Sequence, residues 1–248
     1  LIQEHMQAAH PDKVVHFVVQ EHMQGQSQAI SLAREFLEGP VLVAFSDTLI
    51  ETDLSSLPQD TADGIAWVKP MEDPRRFGVV ETDAAGWATR LIEKPTDVTN
   101  NQVVVGFYYF KQGTDLISAI DEQIQRGASL KGEYFLADAI NILIERGARI
   151  KARQTETWLD AGIPESLLAT NRYLLDHGRC TCPKQNPVEG VSIIEPVSIP
   201  EGVSLVSAVV GPHVTLGEGC VLENVVIRNS IIEAGTHIKD MVVEGSII

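Results

Sequence analysis

Basic side chains are scarce in this chain: 19 Lys and Arg stand against 34 Asp and Glu, a formal net charge of −15 over 248 residues. Nucleic acids and anionic membranes are held by a surplus of positive surface, so the charge argues against both as partners. Phosphate ligands would need local cations or a metal. Cysteine is scarcer still. Cys180, Cys182 and Cys220 form an odd set with no second pair and no nearby histidine array to complete a zinc site, so they read as reduced thiols. No apolar run approaches the roughly 20 residues of a membrane span, and the first residues lack a basic-then-apolar signal pattern. A soluble, cytoplasmic protein is expected. What the chain does have is 44% hydrophobic residues, enough over this length for one large domain and a smaller one.

Residues 1–178 alternate strand and helix. Val14–Val19, Val41–Phe45, Gly64–Val68 and Val103–Phe110 are short β-branched or aromatic runs, nearly continuous in apolar character, as central strands covered on both faces are. Between them lie helical stripes: Ala29, Ile30, Ala33, Phe36 and Leu37; Leu116, Ile117, Ile120 and Ile124; Leu136, Ile140, Leu143 and Ile144. Gly127 and Gly147 stop two of these helices, and a further one opens at Pro164 and ends at Gly178. The pattern predicts an α/β, doubly wound, Rossmann-like domain.

After a linker, 179–187, the period changes. Val191, Ile193, Val197, Ile199, Val203, Leu205, Val209, Val214, Leu216, Val221, Val226, Ile231, Ile238 and Val243 recur every few residues, with Gly and Pro punctuating the turns. A hexapeptide repeat of this kind predicts a parallel β-helix over 188–248, at about 18 residues per coil and roughly three coils, with the aliphatic residues stacked inside. Such β-helix faces allow a homo-oligomer. The tract ends mid-repeat at Ser246-Ile247-Ile248.

Three separated segments carry the chemistry: Phe45-Ser46-Asp47-Thr48, Ile92-Glu93-Lys94-Pro95 and Trp158-Leu159-Asp160-Ala161-Gly162. Asp47 directly follows a hydrophobic strand, at the carboxyl edge where doubly wound sheets bind ligands, and a hard oxygen donor there suits Mg²⁺. By itself it serves equally well as a helix cap or turn acid, and Asp160 in its tight turn is as ambiguous. Adjacent side chains of a strand point to opposite faces, so Glu93 and Lys94 could offer one face to sugar hydroxyls and the other to phosphate, or simply form a solvated ion pair.

In order along the chain, these segments join Val19-Gln20, Gly25-Gln26-Ser27-Gln28-Ala29, Asp73-Pro74-Arg75-Arg76-Phe77-Gly78-Val79-Val80, Val105-Gly106-Phe107-Tyr108 and Gly132-Glu133-Tyr134-Phe135-Leu136-Ala137-Asp138-Ala139. Taken jointly, and followed by a β-helix, they resemble the sugar-phosphate nucleotidyltransferases over essentially the whole chain, most closely the glucose-1-phosphate thymidylyltransferases with a left-handed β-helix. The resemblance implies that Asp47 and Asp160 hold a catalytic Mg²⁺. It also implies that Glu93, Gly106 and the Gly78 backbone bind sugar hydroxyls, that Lys94 contacts the sugar phosphate, and that Gln20 and Gly25 face the nucleobase. A carboxamide offers one donor and one acceptor, which matches the edge of thymine or uracil, though guanine also sets an acceptor beside a donor.

The implied reaction joins a nucleoside triphosphate, dTTP or UTP, to a sugar 1-phosphate, glucose 1-phosphate by preference, and releases pyrophosphate. Two departures from the family pattern stand out. Ser46 and Thr48 replace the glycine and asparagine that many members carry beside the acid. Leu1–Ala9 already resembles the helix before the family's third strand, so the glycine-rich loop with its arginine and the Pro-Lys pair are not present, and the 248-residue chain alone is expected not to turn over. Two competing readings are a β-helix acyltransferase using His213 or His237 as base, and a nucleotide-sugar-binding homologue without catalysis.

Overall fold

The computed structural model describes residues 2–179 and 189–248. They form two compact units: residues up to Ser46 with Ile50–Glu156, and Asp47–Leu49 with Thr157–Ile248. Most of the expected linker 179–187, and the thiols expected at Cys180 and Cys182, lie outside the described residues.

The first unit contains α1 (Ile2–Ala9), α2 (Gln26–Leu32), β1 (Val41–Ala44), β2 (Thr48–Glu51, whose first residues belong to the second unit), β3 (Gly64–Pro70), β4 (Gly78–Thr82), β5 (Ala88–Glu93), β6 (Gln102–Phe110), α3 (Gly113–Arg126), α4 (Leu136–Glu145) and β7 (Ile150–Gln154). Its sheet runs β5-β4-β6-β3-β7, with β1 also on β6. The sheet is mixed. β3 and β7 are parallel, whereas β1, β3 and β4 all lie antiparallel to β6. On β6, β4 takes the beginning, with Val79 opposite Val103, and β1 takes the end, with Val41 opposite Phe110.

Gly64–Val68 is buried throughout, as an apolar run must be when both sheet faces are covered. The core joins Val68, Val104, Tyr108 and Phe110 of the sheet to Leu116 and Ile120 of α3 and Leu136, Ile140 and Leu143 of α4. In α3 the i, i+4 pair Leu116 and Ile120 is completely buried. Gly127 ends that helix at φ 65°, which lets the Ala128 N–H donate to the Gln123 carbonyl at 3.1 Å and close the last turn. Gly147, at φ 89°, ends α4 in the same way, with the Ala148 N–H reaching the Leu143 carbonyl at 3.0 Å.

Three expectations fail here. One is that Val41–Phe45 is a central strand covered on both faces: among the described residues β1 pairs with β6 alone, and Leu42 is 46% exposed. Val14–Val19 is not a strand; it carries no ladder pairing, and Val14 and Val19 are 87% and 78% exposed. An apolar run becomes a strand only where a neighbour takes up its N–H and C=O groups, and none of the described residues does so. The stripe from Ala29 to Leu37 is also broken: α2 stops at Leu32 and a 3₁₀ turn, Arg34–Phe36, follows. The Arg34 side chain reaches the Ser31 carbonyl across this break and pairs with Asp121 of α3.

The second unit takes in β8 (Thr157–Asp160), with which β2 pairs, α5 (Pro164–Asp176) and a solenoid of β9 (Ser192–Ile193), β10 (Val197–Ser198), β11 (Ser204–Val210), β12 (Val214–Leu216), β13 (Val221–Arg228), β14 (Ser230–Ile232) and β15 (His237–Glu244). All the paired solenoid strands are parallel. Ser204 stands beside Val221 and Val221 beside His237, so one coil takes 17 residues and the next 16, rather than the 18 of an unbroken hexapeptide repeat. Ser207, Asn224 and Asp240 occupy one corner at positive φ of 50°, 53° and 53°. The Asn224 amide donates to Asp240 along this corner at 2.7 Å. The result is a parallel β-solenoid of about three coils, consistent with a left-handed β-helix.

Its core is Val197, Ile199, Ala208, Val210, Val214, Leu216, Cys220, Leu222, Val225, Ile227, Ile232, Ile238 and Val243. Ile193, expected inside, is 38% exposed. Val209, Val221, Val226 and Ile231, also expected inside, face outward instead. Each sits in an apolar doublet, Val209-Val210, Val221-Leu222, Val225-Val226 or Ile231-Ile232. Successive residues of a strand point to opposite faces, so one member of each pair must leave the core. Cys220 is a free, buried thiol. Helix α5 starts at Pro164 as expected and is bonded to the solenoid side by side: Arg172 donates to Asn229 at 2.8 Å, Thr215 to Asn171 at 2.6 Å, and His213 pairs with Asp176 at 2.8 Å. By packing, therefore, α5 groups with the solenoid, although the change of sequence period comes after 178.

Candidate active site

In the first unit, Gly78 opens β4 directly opposite Glu93, the last residue of β5. A Cβ on Gly78 would lie 3.0 Å from the Glu93 carboxylate and 2.9 Å from Val104, so glycine leaves the room that the carboxylate fills. Burial raises the Glu93 carboxyl above its ordinary value; Lys94 opposes the rise, and the charges of Asp138 and Glu133 add to it. Lys94 follows at φ 47°, its N–H bonded to the Phe77 carbonyl at 2.9 Å, and its ammonium lies 4.6 Å from the centre of the Phe135 ring. No ion pair holds Lys94 among the described residues. The fully buried Tyr108 phenol is pushed up, first by burial and then by the Glu93 charge, so it stays protonated. Gly106, two residues earlier in β6, adopts φ 72°, and its carbonyl accepts the Phe45 N–H at 2.9 Å.

Gln20 and Gly25 are brought together by side chain and backbone: the Gln20 amide donates to the Gly25 carbonyl at 3.1 Å and to the Gln28 side-chain carbonyl at 2.5 Å. Gly25 has φ 98°, and a Cβ there would lie 2.7 Å from both the nitrogen and the oxygen of Tyr134. Tyr134 in turn donates to the Gln24 carbonyl at 2.8 Å and accepts from the Ser27 N–H at 3.0 Å. The Gln20 loop is thus stitched to Tyr134, and Lys94 rests on the next residue, Phe135. The base-facing and phosphate-facing groups expected from the sequence meet at one two-residue segment of this unit.

In the second unit, Asp47 and Asp160 converge on Gly162. The point where a Gly162 Cβ would stand is 3.0 Å from one Asp160 oxygen and 3.2 Å from one Asp47 oxygen. Asp160 accepts hydrogen bonds from the Gly162 N–H and the Ser166 hydroxyl, both at 3.0 Å, and the Ala161 N–H donates to the Asp47 carbonyl at 2.9 Å. Two oxygen-rich acids aimed at one glycine suit a hard divalent cation that keeps several waters. No group of three or more His, Cys, Asp and Glu is gathered for a metal among the described residues, so any ion here would rest on these two carboxylates. His213 sits at a solenoid corner and bonds to Asp176.

Gln28, Tyr134, Phe135 and Ser166 were given no role from the sequence, although Gln28 lies in the Gly25–Ala29 segment and Tyr134 and Phe135 in the Gly132–Ala139 segment that carry the resemblance. No helix among the described residues is long and apolar enough to cross a membrane.

Residues 1–177 match the family model described as Nucleotidyl transferase. The low-salt glycan biosynthesis nucleotidyltransferase of Haloferax volcanii is 29% identical over 241 residues, covering 87% of this chain and 66% of that protein. The glucose-1-phosphate thymidylyltransferase of Streptomyces griseus is 24% identical over 248 residues, covering 91% of this chain and 68% of its own. The chain thus spans about two-thirds of the length of these relatives. A Bacillus anthracis structure solved in complex with sucrose superposes with a TM-score of 0.59 at 22% identity, over 69% of this chain and 70% of the other, and shows the shared fold.

Proposed function

The chain belongs to the nucleotidyl transferase family, and on that premise we propose that it transfers a nucleotidyl group from dTTP or UTP to a sugar 1-phosphate, with glucose 1-phosphate the favoured acceptor. The observation that carries this reading is the meeting of the Gln20–Gly25 loop and the Glu93-Lys94 strand end at Tyr134 and Phe135. A base reader and a phosphate-binding cation are what a nucleotide sugar requires.

A non-bridging oxygen of the sugar phosphate attacks the α-phosphorus of the triphosphate. The bond from that phosphorus to the bridging oxygen of the β-phosphate breaks, and pyrophosphate leaves with the electron pair. Positioning and charge neutralisation suffice, with no protein nucleophile. Lys94 binds the sugar phosphate; Glu93 and the backbones of Gly78 and Gly106 bind sugar hydroxyls; Gln20 and Gly25 bind the base. Asp47 and Asp160 would hold Mg²⁺, which supplies charge neutralisation at the phosphates when bound. A cytoplasmic setting suits these substrates.

Pyrophosphate release by the full-length protein, across four nucleoside triphosphates and a panel of sugar 1-phosphates, tests the reading. Release confined to dTTP or UTP with a hexose 1-phosphate is expected. Acetyl transfer from coenzyme A without any pyrophosphate release would replace it with the acyltransferase reading.

A further inference from the structure

We propose that Gln28 is a positioning residue that sets base selectivity by fixing which end of the Gln20 amide the nucleotide meets. The proposal rests on the reading of Gln20 as the base-facing residue. A glutamine amide can turn over, exchanging its acceptor for its donors, and an amide free to do so would select weakly between thymine and cytosine. In this structure it is not free. Both N–H donors of Gln20 are engaged, one by the Gly25 carbonyl at 3.1 Å and one by the Gln28 side-chain carbonyl at 2.5 Å. The Gly25 carbonyl can only accept, so turning the Gln20 amide over would set two acceptors face to face there and lose that bond, while the Gln28 bond would survive only if the Gln28 amide turned over as well.

The lock is built on a regular element. Gln28 belongs to α2, the Ala29 N–H of the same helix donates to the Gly25 carbonyl at 3.2 Å, and the Ser31 hydroxyl donates to the Gln28 backbone carbonyl at 2.8 Å. Gln20 itself lies in an irregular stretch and takes its orientation from that helix. With its nitrogen engaged twice, Gln20 presents only its side-chain oxygen to a ligand. That oxygen accepts the ring N–H of thymine or uracil, whereas cytosine offers a lone pair at the same ring atom. Two pyrimidines of the same size are thereby told apart.

The test is calorimetric binding of dTTP and dCTP, each with Mg²⁺, to the full chain and to Gln28→Met and Gln28→Glu, with thermal midpoints measured alongside. Gln28→Met keeps the length and removes the acceptor; Gln28→Glu keeps an acceptor at the same place. Gln28→Met is expected to lower the dTTP-to-dCTP affinity ratio by roughly 3- to 10-fold, the equivalent of one hydrogen bond, while Gln28→Glu keeps it. Should Gln28→Met fail to fold, Gln28→Ala reads the same ratio. An unchanged ratio in the variant lacking the acceptor overturns the proposal, as does an equal loss in Gln28→Glu, because then side-chain packing and not the acceptor is responsible. A wild-type chain that binds dTTP no better than dCTP overturns the reading of Gln20 itself, and is seen before any variant is made.

Discussion

Both units hold non-glycine residues at positive φ, but they use them differently. In the solenoid, Ser207, Asn224 and Asp240 repeat the same conformation at the same corner, one coil after another, between strand segments paired in register, and Asn224 bonds to Asp240. In the first unit the non-glycine positions at positive φ, Lys94 at 47° and Lys131 at 53°, occur once each, and Lys94 is itself proposed to meet the substrates. Repetition marks a corner that turns the chain; the single strained position at Lys94 falls where a substrate-binding cation is proposed.

That contrast can be broken first in the solenoid core. Leu222→Ala, at a completely buried position, is expected to cost about 2–5 kcal/mol, whereas Val221→Ala, its outward-facing neighbour at 38% exposure, is expected to cost less than about 1 kcal/mol. Denaturant midpoints of the two variants decide it; equal losses would mean that the register is wrong. Next in size, Asp47→Asn or Asp160→Asn in the full-length protein is expected to reduce turnover on the order of a hundredfold or more, at an unchanged thermal midpoint. Normal Mg²⁺-dependent turnover in both would end their assignment as ligands.

The fold and the site were legible to different degrees. Runs such as Gly64–Val68 and Val103–Phe110 announced strands because burial on both faces leaves no room for polar residues. Gly127, Gly147 and Gly178 announced helix ends because each adopts a positive φ that suits residues without a Cβ. Val14–Val19 misled because apolar character predicts burial, not the partner that supplies it. The solenoid doublets hid their inward face because both members are aliphatic. In the site, Asp47 and Asp160 could be seen separately, but their approach to Gly162 depends on contacts far apart in sequence. Gln28 stayed hidden because a glutamine on a short helix looks solvated until its partner is placed.

A glycine comparison sharpens the distinction further. Gly25→Ala combines a positive φ with a Cβ 2.7 Å from the Tyr134 backbone, while Gly219→Ala at φ 70° meets open space. The first is expected to lose about 1–3 kcal/mol and weaken dTTP binding, and the second about 1 kcal/mol with binding intact. Matched melts and calorimetry on the two variants read both effects.

The smallest expected effect concerns Glu93. Its carboxyl is raised in the folded state, so the native protein keeps that proton to a higher pH than the unfolded chain does. Stability from this group is present below the ordinary carboxylate value and is lost as pH rises through the raised one. Glu93→Gln is therefore expected to stabilise the protein slightly above about pH 7 and to make little difference below about pH 4, measured by denaturant midpoints at the two pH values. A stabilisation confined to the acid side would contradict the assigned cause.

The most direct test of the proposed activity follows the phosphate oxygens. With glucose 1-phosphate labelled with ¹⁸O in its non-bridging oxygens, Mg²⁺ and dTTP or UTP, the full-length protein is expected to yield a nucleotide sugar that retains the label and pyrophosphate that carries none. Label in the pyrophosphate, or no nucleotide sugar with any hexose 1-phosphate, would contradict attack by the sugar phosphate on the α-phosphorus.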